Sequence, residues 1–318
     1  MDAVAERFRA DLDRLHCGGW LGIAVSGGPD SLALLLLAAA VRPGSIEAAT
    51  VDHGLRPESR AEADAVAAVC ARLGVPHAVL PVTVERGASL QAQAREARYA
   101  ALAKWAHERR LDAVLTGHHA DDQAETLLMR LARGSGLSGL SGVRVSQELA
   151  SPDGSEVRVL RPLLGWRKVE LERIVLDAGL HAADDPANRD PRHDRTRARE
   201  LLNSASWLDA TPVAASATHL AEAEEALAFS VAMLAAERVR SPEDGALAIE
   251  AADLPRELQR RLLLEGFEHL GRAAPRGPDL DRALTQLREG GTCTLAGLRL
   301  SGGATWRIAP APPRRSGQ

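Results

Sequence analysis

Leu21-Gly22-Ile23-Ala24-Val25, then Ser26-Gly27-Gly28-Pro29-Asp30-Ser31, then the apolar run 32–41, is the stretch from which the fold can be read. An apolar strand runs through a short polar loop into a helix. Successive backbone N–H groups and the helix N-terminus then converge on one point, which is an anion-binding geometry. Gly27 and Gly28 let the backbone come close, and Ser26 and Ser31 can donate hydroxyl hydrogen bonds to phosphate oxygens. The bland alternative is an ordinary turn with an ordinary Asp or Ser helix cap. No glycine-lysine-serine/threonine ending occurs in the chain, so this is not the Walker type of phosphate loop.

Outward from that loop, short apolar runs alternate with longer periodic segments as far as residue 160 or so. Strands are expected at 21–25, 46–51, 77–82 and 112–116, with helices near 31–41, 58–73, 91–110 and 120–133. The fold class is therefore α/β with an open parallel sheet, whose ligands bind beyond the carboxyl ends of the strands. Residues 134–142 read as a glycine and serine loop. Its Gly134-Ser135-Gly136-Leu137-Ser138-Gly139 fits the dinucleotide pattern G-x-G-x-x-G, but it follows a helix where that pattern should follow a strand. A hairpin turn at 152–154 leads to a strand at 157–160. Beyond it come a helix at 167–178, a polar loop at 184–194 and the start of a helix at 195–203.

The expected organisation is a catalytic domain over 1–203, a linker at 204–212, a smaller and mostly helical region over 213–309, and a disordered tail at 310–318. That smaller region holds a long alanine-rich helix to about residue 240, helices near 256–270 and 279–288, and a β-hairpin at 292–308. No internal repeat is visible.

The second informative segment is Thr116-Gly117-His118-His119-Ala120-Asp121-Asp122-Gln123-Ala124-Glu125-Thr126, at the end of the fourth strand and the start of a helix. It faces the same cleft as the phosphate loop, and Gly117 and His118 are grouped with that loop as nucleotide-binding residues. Asp122 and Glu125, three apart on a helix, share a face. Two adjacent carboxylates can grip an ammonium group and accept its proton. Two other readings stay open. Asp121 and Asp122 suit the first turn of any helix through its dipole, and His118, His119, Asp121 and Asp122 with Asp52 and His53 have the composition of a metallophosphoesterase ligand set.

Taken together, these motifs carry a resemblance. Ser26 to Ser31 resembles the pyrophosphate-binding loop of the PP-loop ATP pyrophosphatases, an adenine nucleotide alpha hydrolase-like fold. The run from His118 to Leu140 is similar to the signature of the tRNA(Ile)-lysidine synthetase family. Val51-Asp52-His53-Gly54-Leu55-Arg56, Ala94-Arg95-Glu96-Ala97-Arg98-Tyr99 and Arg161-Pro162-Leu163-Leu164 resemble further motifs of that family, in order. Asp185-Pro186-Ala187-Asn188 and Arg195-Thr196-Arg197-Ala198-Arg199 resemble two more in altered form, with all three arginines kept.

The resemblance implies a short-form ligase that uses ATP to adenylate the C2 oxygen of the wobble cytidine of tRNA(Ile) with a CAU anticodon. The ε-amino group of free L-lysine then displaces AMP. On that reading Ser26, Gly27, Gly28, Pro29, Asp30 and Ser31 hold pyrophosphate, Asp30 places Mg2+, and Arg98 stabilises charge on the transferred phosphoryl group. Asp122 and Glu125 hold lysine, and Arg195, Arg197 and Arg199 touch tRNA. Solvated charge is the bland alternative for Arg98 and for the arginine segment. The rival functions are a tRNA thiolase of the same superfamily and a non-catalytic tRNA-binding protein on the same fold.

Bulk composition narrows the field. The net charge of −4 excludes a chain that coats nucleic acid indiscriminately, though not one with a local basic patch. Cys17, Cys70 and Cys293 are scattered and odd in number, against a disulfide framework or a thiolate cluster. A cytoplasmic protein is expected: the first 14 residues lack the apolar run of a signal peptide, and the ten-residue apolar stretch 32–41 is too short to span a bilayer. Whether the chain forms a homodimer is left open by the sequence.

Overall fold

The structure is a computed structural model, and it describes residues 2–16, 18–54, 58–83, 90–150, 154, 156–182, 194–241 and 245–312. Two compact units result, Met1–Glu222 and Ala223–Gln318.

The first unit opens with helix α1 (Asp2–Asp13), then β1 (Leu21–Ala24), α2 (Pro29–Val41), β2 (Ile46–Asp52), α3 (Glu58–Leu73), β3 (His77–Pro81), α4 (Leu90–Arg109) and β4 (Ala113–Leu115). It continues through α5 (Ala120–Ala132), the short α6 (Leu137–Leu140), β5 (Ser146–Ala150), β6 (Glu156–Leu160), α7 (Lys168–Asp177) and α8 (Asp194–Ser204). The six strands form one sheet in the order β3-β2-β1-β4-β6-β5. All neighbours are parallel except β5, which pairs antiparallel with β6 from Ser146↔Leu160 to Ala150↔Glu156. The open α/β sheet expected from the sequence is therefore present.

Strand alternation sends side chains to two faces. On one face Leu21, Ile23, Ile46, Ala48, Ala113 and Leu115 pack with α2, which is apolar around most of its circumference, and with α1, α3 and α7. On the other, Ala49, Val114, Val157 and Val159 pack against Leu102, Ala103, Trp105 and Ala106 of α4. With both faces covered, β1 lies in the middle of the sheet, between β2 and β4. The order reverses there, because the chain moves outward from β1 to β3 and then returns to the other side of β1 as β4. The crevice beyond the ends of β1 and β4 is thus the topological switch point, where open α/β sheets bind ligands.

The second unit begins inside α9 (Ala210–Arg238) and continues with β7 (Val239–Arg240), β8 (Leu247–Ile249), α10 (Arg256–His269), α11 (Gly277–Arg288), β9 (Thr292–Leu295), β10 (Leu298–Ser301) and β11 (Trp306–Pro310). Its strands form an antiparallel sheet in the order β7-β8-β11-β10-β9, backed by a core that includes Leu262, Phe267, Leu284, Trp306 and Ile308. Inside it, Arg261 bridges Glu224 at 2.6 Å and Glu257 at 2.9 Å.

Some elements differ from the expectation. Residues 292–308 hold the start of three strands where a two-stranded hairpin was expected, α1, α6, β7 and β8 had no counterpart, and β5 is the first strand of the expected hairpin, for which no bounds were given. The expected linker 204–212 takes in the end of α8 and the start of α9, and the compact units part later, within α9. The physical reason is that the first turns of α9 pack on the first unit: Ser141 Oγ donates to Leu220 O at 3.3 Å, and Ala217 is fully buried. The motif at 185–188, residues 152 and 153 of the expected turn and the last six residues of the tail lie outside the described residues.

α1 is fastened by polar contacts as well as by Phe8 and Leu12. The buried Trp166 indole donates to Asp11 Oδ2 at 2.8 Å, and the Arg7 guanidinium sits 4.0 Å over the Trp166 ring while bonding Glu170 at 2.6 Å. Asp11→Ala leaves a buried indole N–H without an acceptor. It should cost about 1–3 kcal/mol, read as a lower urea midpoint with an unchanged slope.

Candidate functional site

The loop leaving β1 folds back on its own hydroxyls. Ser26 N–H donates to Ser31 Oγ at 3.1 Å, Ser31 Oγ donates to Gly28 O at 3.0 Å, and the two hydroxyls lie 3.3 Å apart. Gly27 has φ 86°, a left-handed conformation that glycine adopts without strain. Pro29 starts α2, where its missing N–H costs nothing. The loop is thereby set with the α2 N-terminus at the sheet's switch point.

The chain leaving β4 comes against this loop. A side chain at Gly117 would meet the Asp30 carbonyl oxygen at 2.9 Å and Ser31 N at 3.1 Å, so glycine is what lets the two strand ends touch. His118 follows, its Nδ1 3.0 Å from Thr116 Oγ1. Burial, reinforced by Arg161, Arg98 and Arg95 and opposed by Asp122, pushes its pKa down to about 3, so it is neutral.

His119 has the opposite character. It is 3% exposed and lies 3.5 Å from Asp30, 3.6 Å from Asp121 and 3.5 Å from Asp122. These separations are at or beyond the limit for good hydrogen bonds, so charge carries the interaction. Burial works against the imidazolium, but Asp121, Asp30 and Asp122 outweigh it and push the pKa up to about 10. From the sequence, His119 had a part only in the metal-ligand alternative. The available signal was a histidine at a helix start with aspartates two and three residues further on.

Asp121 and Asp122, adjacent in sequence, do different things. Asp121 accepts from Arg167 Nε at 3.2 Å and from the Lys168 N–H at 2.8 Å. Burial opposes its ionisation, yet His119, Arg167 and Lys168 hold it well below the usual carboxylate range. It ties α5 to the start of α7. Asp122 accepts the His119 N–H at 3.2 Å and, with Glu125, faces α8.

That face is where the two acidic and basic motifs meet. Glu125 is 2% exposed; Arg199 Nε donates to it at 2.7 Å, and Arg195 approaches it at 3.2 Å and Asp122 at 3.9 Å. Arg195 and Arg199 are four apart and share a helix face. Arg197 points away, its side chain 73% exposed and its nearest acid Asp194 at 4.0 Å. Arg98, on α4, is half-buried against Tyr99, 5.2 Å from the ring centroid. Ser26, Asp30, Gly117, His118, Asp122 and Glu125 thus gather around the ends of β1 and β4. Among the described residues, no group of three or more His, Cys, Asp and Glu side chains forms a metal-ion set.

This arrangement can bind a polyphosphate at the loop and an ammonium group at Asp122 and Glu125. The His119 contact makes stability depend on pH. In magnesium-free buffer the folded protein keeps a proton that the unfolded chain has released between about pH 6.5 and 10. The stabilisation is therefore complete below 6.5 and is lost as pH rises towards 10, with a slope approaching about 1.4 kcal/mol per pH unit. Urea titrations across that range should show the decline, and His119→Gln should flatten it.

Comparison with known proteins agrees with this geometry. The family described as PP-loop domain matches residues 5–205. A tRNA(Ile)-lysidine synthase of Novosphingobium aromaticivorans is 49% identical over 317 residues, covering 99% of this chain and 96% of that protein. Another, from Zymomonas mobilis, is 46% identical over 299 residues, covering 93% of this chain and 90% of its own. Among solved structures, a U34-tRNA thiolase from Methanococcus maripaludis superposes with a TM-score of 0.54 at 17% identity, over 70% of this chain and 79% of that one, a likeness of fold alone. The PP-loop match over more than half of the chain and the near full-length relatives lead to one assignment: this chain belongs to the tRNA(Ile)-lysidine synthase family of PP-loop enzymes.

Proposed function

We propose that the chain ligates free lysine to C2 of the wobble cytidine of tRNA(Ile) with a CAU anticodon, through an adenylated cytidine, releasing pyrophosphate and AMP. The observation that carries this reading is that the phosphate loop and the Asp122/Glu125 pair meet at one switch point. The cytidine C2 oxygen attacks the α-phosphorus of ATP and the bond to pyrophosphate breaks. The lysine ε-nitrogen then attacks C2, and the C2–O bond breaks to release AMP.

Ser26 to Ser31 and the α2 N-terminus hold the departing pyrophosphate. Asp30 Oδ1, buried with no hydrogen-bond partner, suits a Mg2+ ligand, and magnesium would neutralise phosphate charge there. Arg98 supports charge on the transferred phosphoryl group. Asp122 and Glu125 receive the lysine ammonium by exchanging it for the Arg195 and Arg199 guanidiniums, one cation for another. Arg197, facing solvent, is the α8 arginine best placed for a tRNA phosphate, and Arg195 and Arg199 become available to RNA once lysine has replaced them. The second unit, Ala223–Gln318, takes the recognition of the rest of the tRNA. A tRNA substrate puts the reaction in the cytoplasm, and no helix among the described residues is long and apolar enough to cross a membrane.

The thiolase alternative meets an obstacle in the cysteines. Cys70 is buried and its thiol is pushed up to about 11 by desolvation, which makes it a poor nucleophile. Cys293 is also raised by burial and lies in the other unit.

Incubation with ATP, labelled lysine and unmodified tRNA(Ile) bearing CAU should transfer label to the tRNA with release of AMP and pyrophosphate. Sulfur incorporation instead would support the thiolase, and tRNA binding without AMP would support the non-catalytic reading. Asp30→Ala should abolish pyrophosphate release while the chain still folds, with a lower melting midpoint because His119 loses one of the three carboxylates that face it. Asp122→Asn and Glu125→Gln should weaken the lysine-dependent step by about ten- to a hundred-fold, the cost of one charged hydrogen bond. Adenylation should change less. Unchanged lysine dependence in both variants would put the lysine pocket elsewhere.

A further inference from the structure

Trp207, in the turn between α8 and α9, is 82% exposed. The other tryptophans of the first unit are placed differently. Trp105 and Trp166 are buried, and Trp20 precedes β1, at the end of the sheet opposite the switch point.

The turn that bears Trp207 is held on both sides. Ala205 N–H donates to Leu201 O at 3.0 Å and Leu208 N–H to Ala205 O at 2.9 Å, which closes the end of α8. Beyond it, Asp209 Oδ1 accepts the Thr211 N–H at 2.7 Å, as a helix cap does, and the Arg167 guanidinium at 3.1 Å. Arg167 also holds Asp121, so the turn is pinned to the acidic cluster of the site. The indole is thus kept out in water by a fixed backbone.

α8 presents two faces. Arg195 and Arg199 turn towards Asp122 and Glu125, and α8 ends five residues after Arg199, about 8 Å of helix rise. On the solvent side Arg197 and the 47% exposed Leu201 are four apart and share a face. Asp194, the acid nearest Arg197, is engaged by Arg133. Single apolar side chains on a surface are ordinary. Here a cation, an aliphatic side chain and an indole follow one another from the outer face of α8 into the turn, beside the acids of the site. Single-stranded RNA is bound by that combination, a guanidinium for phosphate and a ring for the face of a base.

We propose that Trp207 is a stacking platform for an unpaired base of the RNA loop that carries the reacting nucleotide, with Arg197 on a neighbouring phosphate. The proposal rests on the reading of tRNA as the substrate of this site. Every base has a π-face, so Trp207 supplies affinity and holds the loop in place without reading its sequence.

The test measures binding to the full chain without ATP or lysine, at several salt concentrations. The probes are unmodified tRNA(Ile) bearing CAU, a hairpin of its anticodon arm, and a fully paired RNA duplex. Trp207→Ala should weaken binding of tRNA and hairpin about five- to a hundred-fold and leave the duplex unchanged. Its slope of log affinity against log salt should hold, because stacking releases no counter-ions, whereas Arg197→Gln should lower the slope by about 0.7. Trp207→Phe should recover most of the loss and Trp207→Leu little of it, since only an aromatic ring stacks.

Wild-type hairpin affinity in Trp207→Ala overturns the proposal, as does an equal loss for the duplex or full recovery by leucine. A change of oligomeric state in Trp207→Ala, read by light scattering, also overturns it and makes this face an interface between copies of the chain. Failure of lysine transfer with the Trp207 dependence of hairpin binding intact would count against the proposed function alone.

Discussion

A single buried imidazolium holds the catalytic end of the first unit together. His119 faces Asp30 from the loop after β1, and Asp121 and Asp122 from its own helix start. Through Asp121 the same charge reaches Arg167 and the N-terminus of α7. Three carboxylates at such spacing would repel one another in the absence of the central cation, and the cation would not survive burial without them. Loop, α5 and α7 are therefore placed by one mutual neutralisation. The touching backbones at Gly117 and Asp30 leave no slack for it to drift.

How much of this could be read from the sequence depended on how local each signal was. The phosphate loop was legible because strand, glycines, proline and helix follow one another within 21 residues and each acts on its neighbours. The parallel sheet was legible from its apolar runs. Helix α1 was not, since its buried positions Phe8 and Leu12 stand among charges and their polar anchor, Trp166, is 155 residues from Asp11. β5 was given no bounds because Ser146–Ala150 is mostly exposed and polar and lacks an apolar run, and it is recognisable as a strand once its backbone pairs with β6.

The same distinction applies within the site. Asp122 and Glu125 share a face by spacing alone, and the structure brings that face against α8. The i, i+4 spacing of Arg195 and Arg199 put them on one side of a helix, but nothing local says that the opposing surface is Glu125, 74 residues away from Arg199. Roles that depend on long-range partners, such as those of His119 and Arg167, needed the fold. The second unit gave the least away, because β7 and β8 are two and three residues long and are recognisable as strands only once β11 lies beside them.

The pairing of Arg195 and Arg199 with the acidic face of α5 has a consequence for selectivity. A site that already contains its own tethered cations has little long-range pull on free ones, because its field is cancelled before any ligand arrives. Tethered groups compete at a high effective concentration, on the order of millimolar for a short connection. A stray metal ion or polyamine must therefore outbid a guanidinium on geometry as well as on charge. Affinity at such a site is a difference between two cations, and only a ligand that fits better than the resident side chain gains by the exchange.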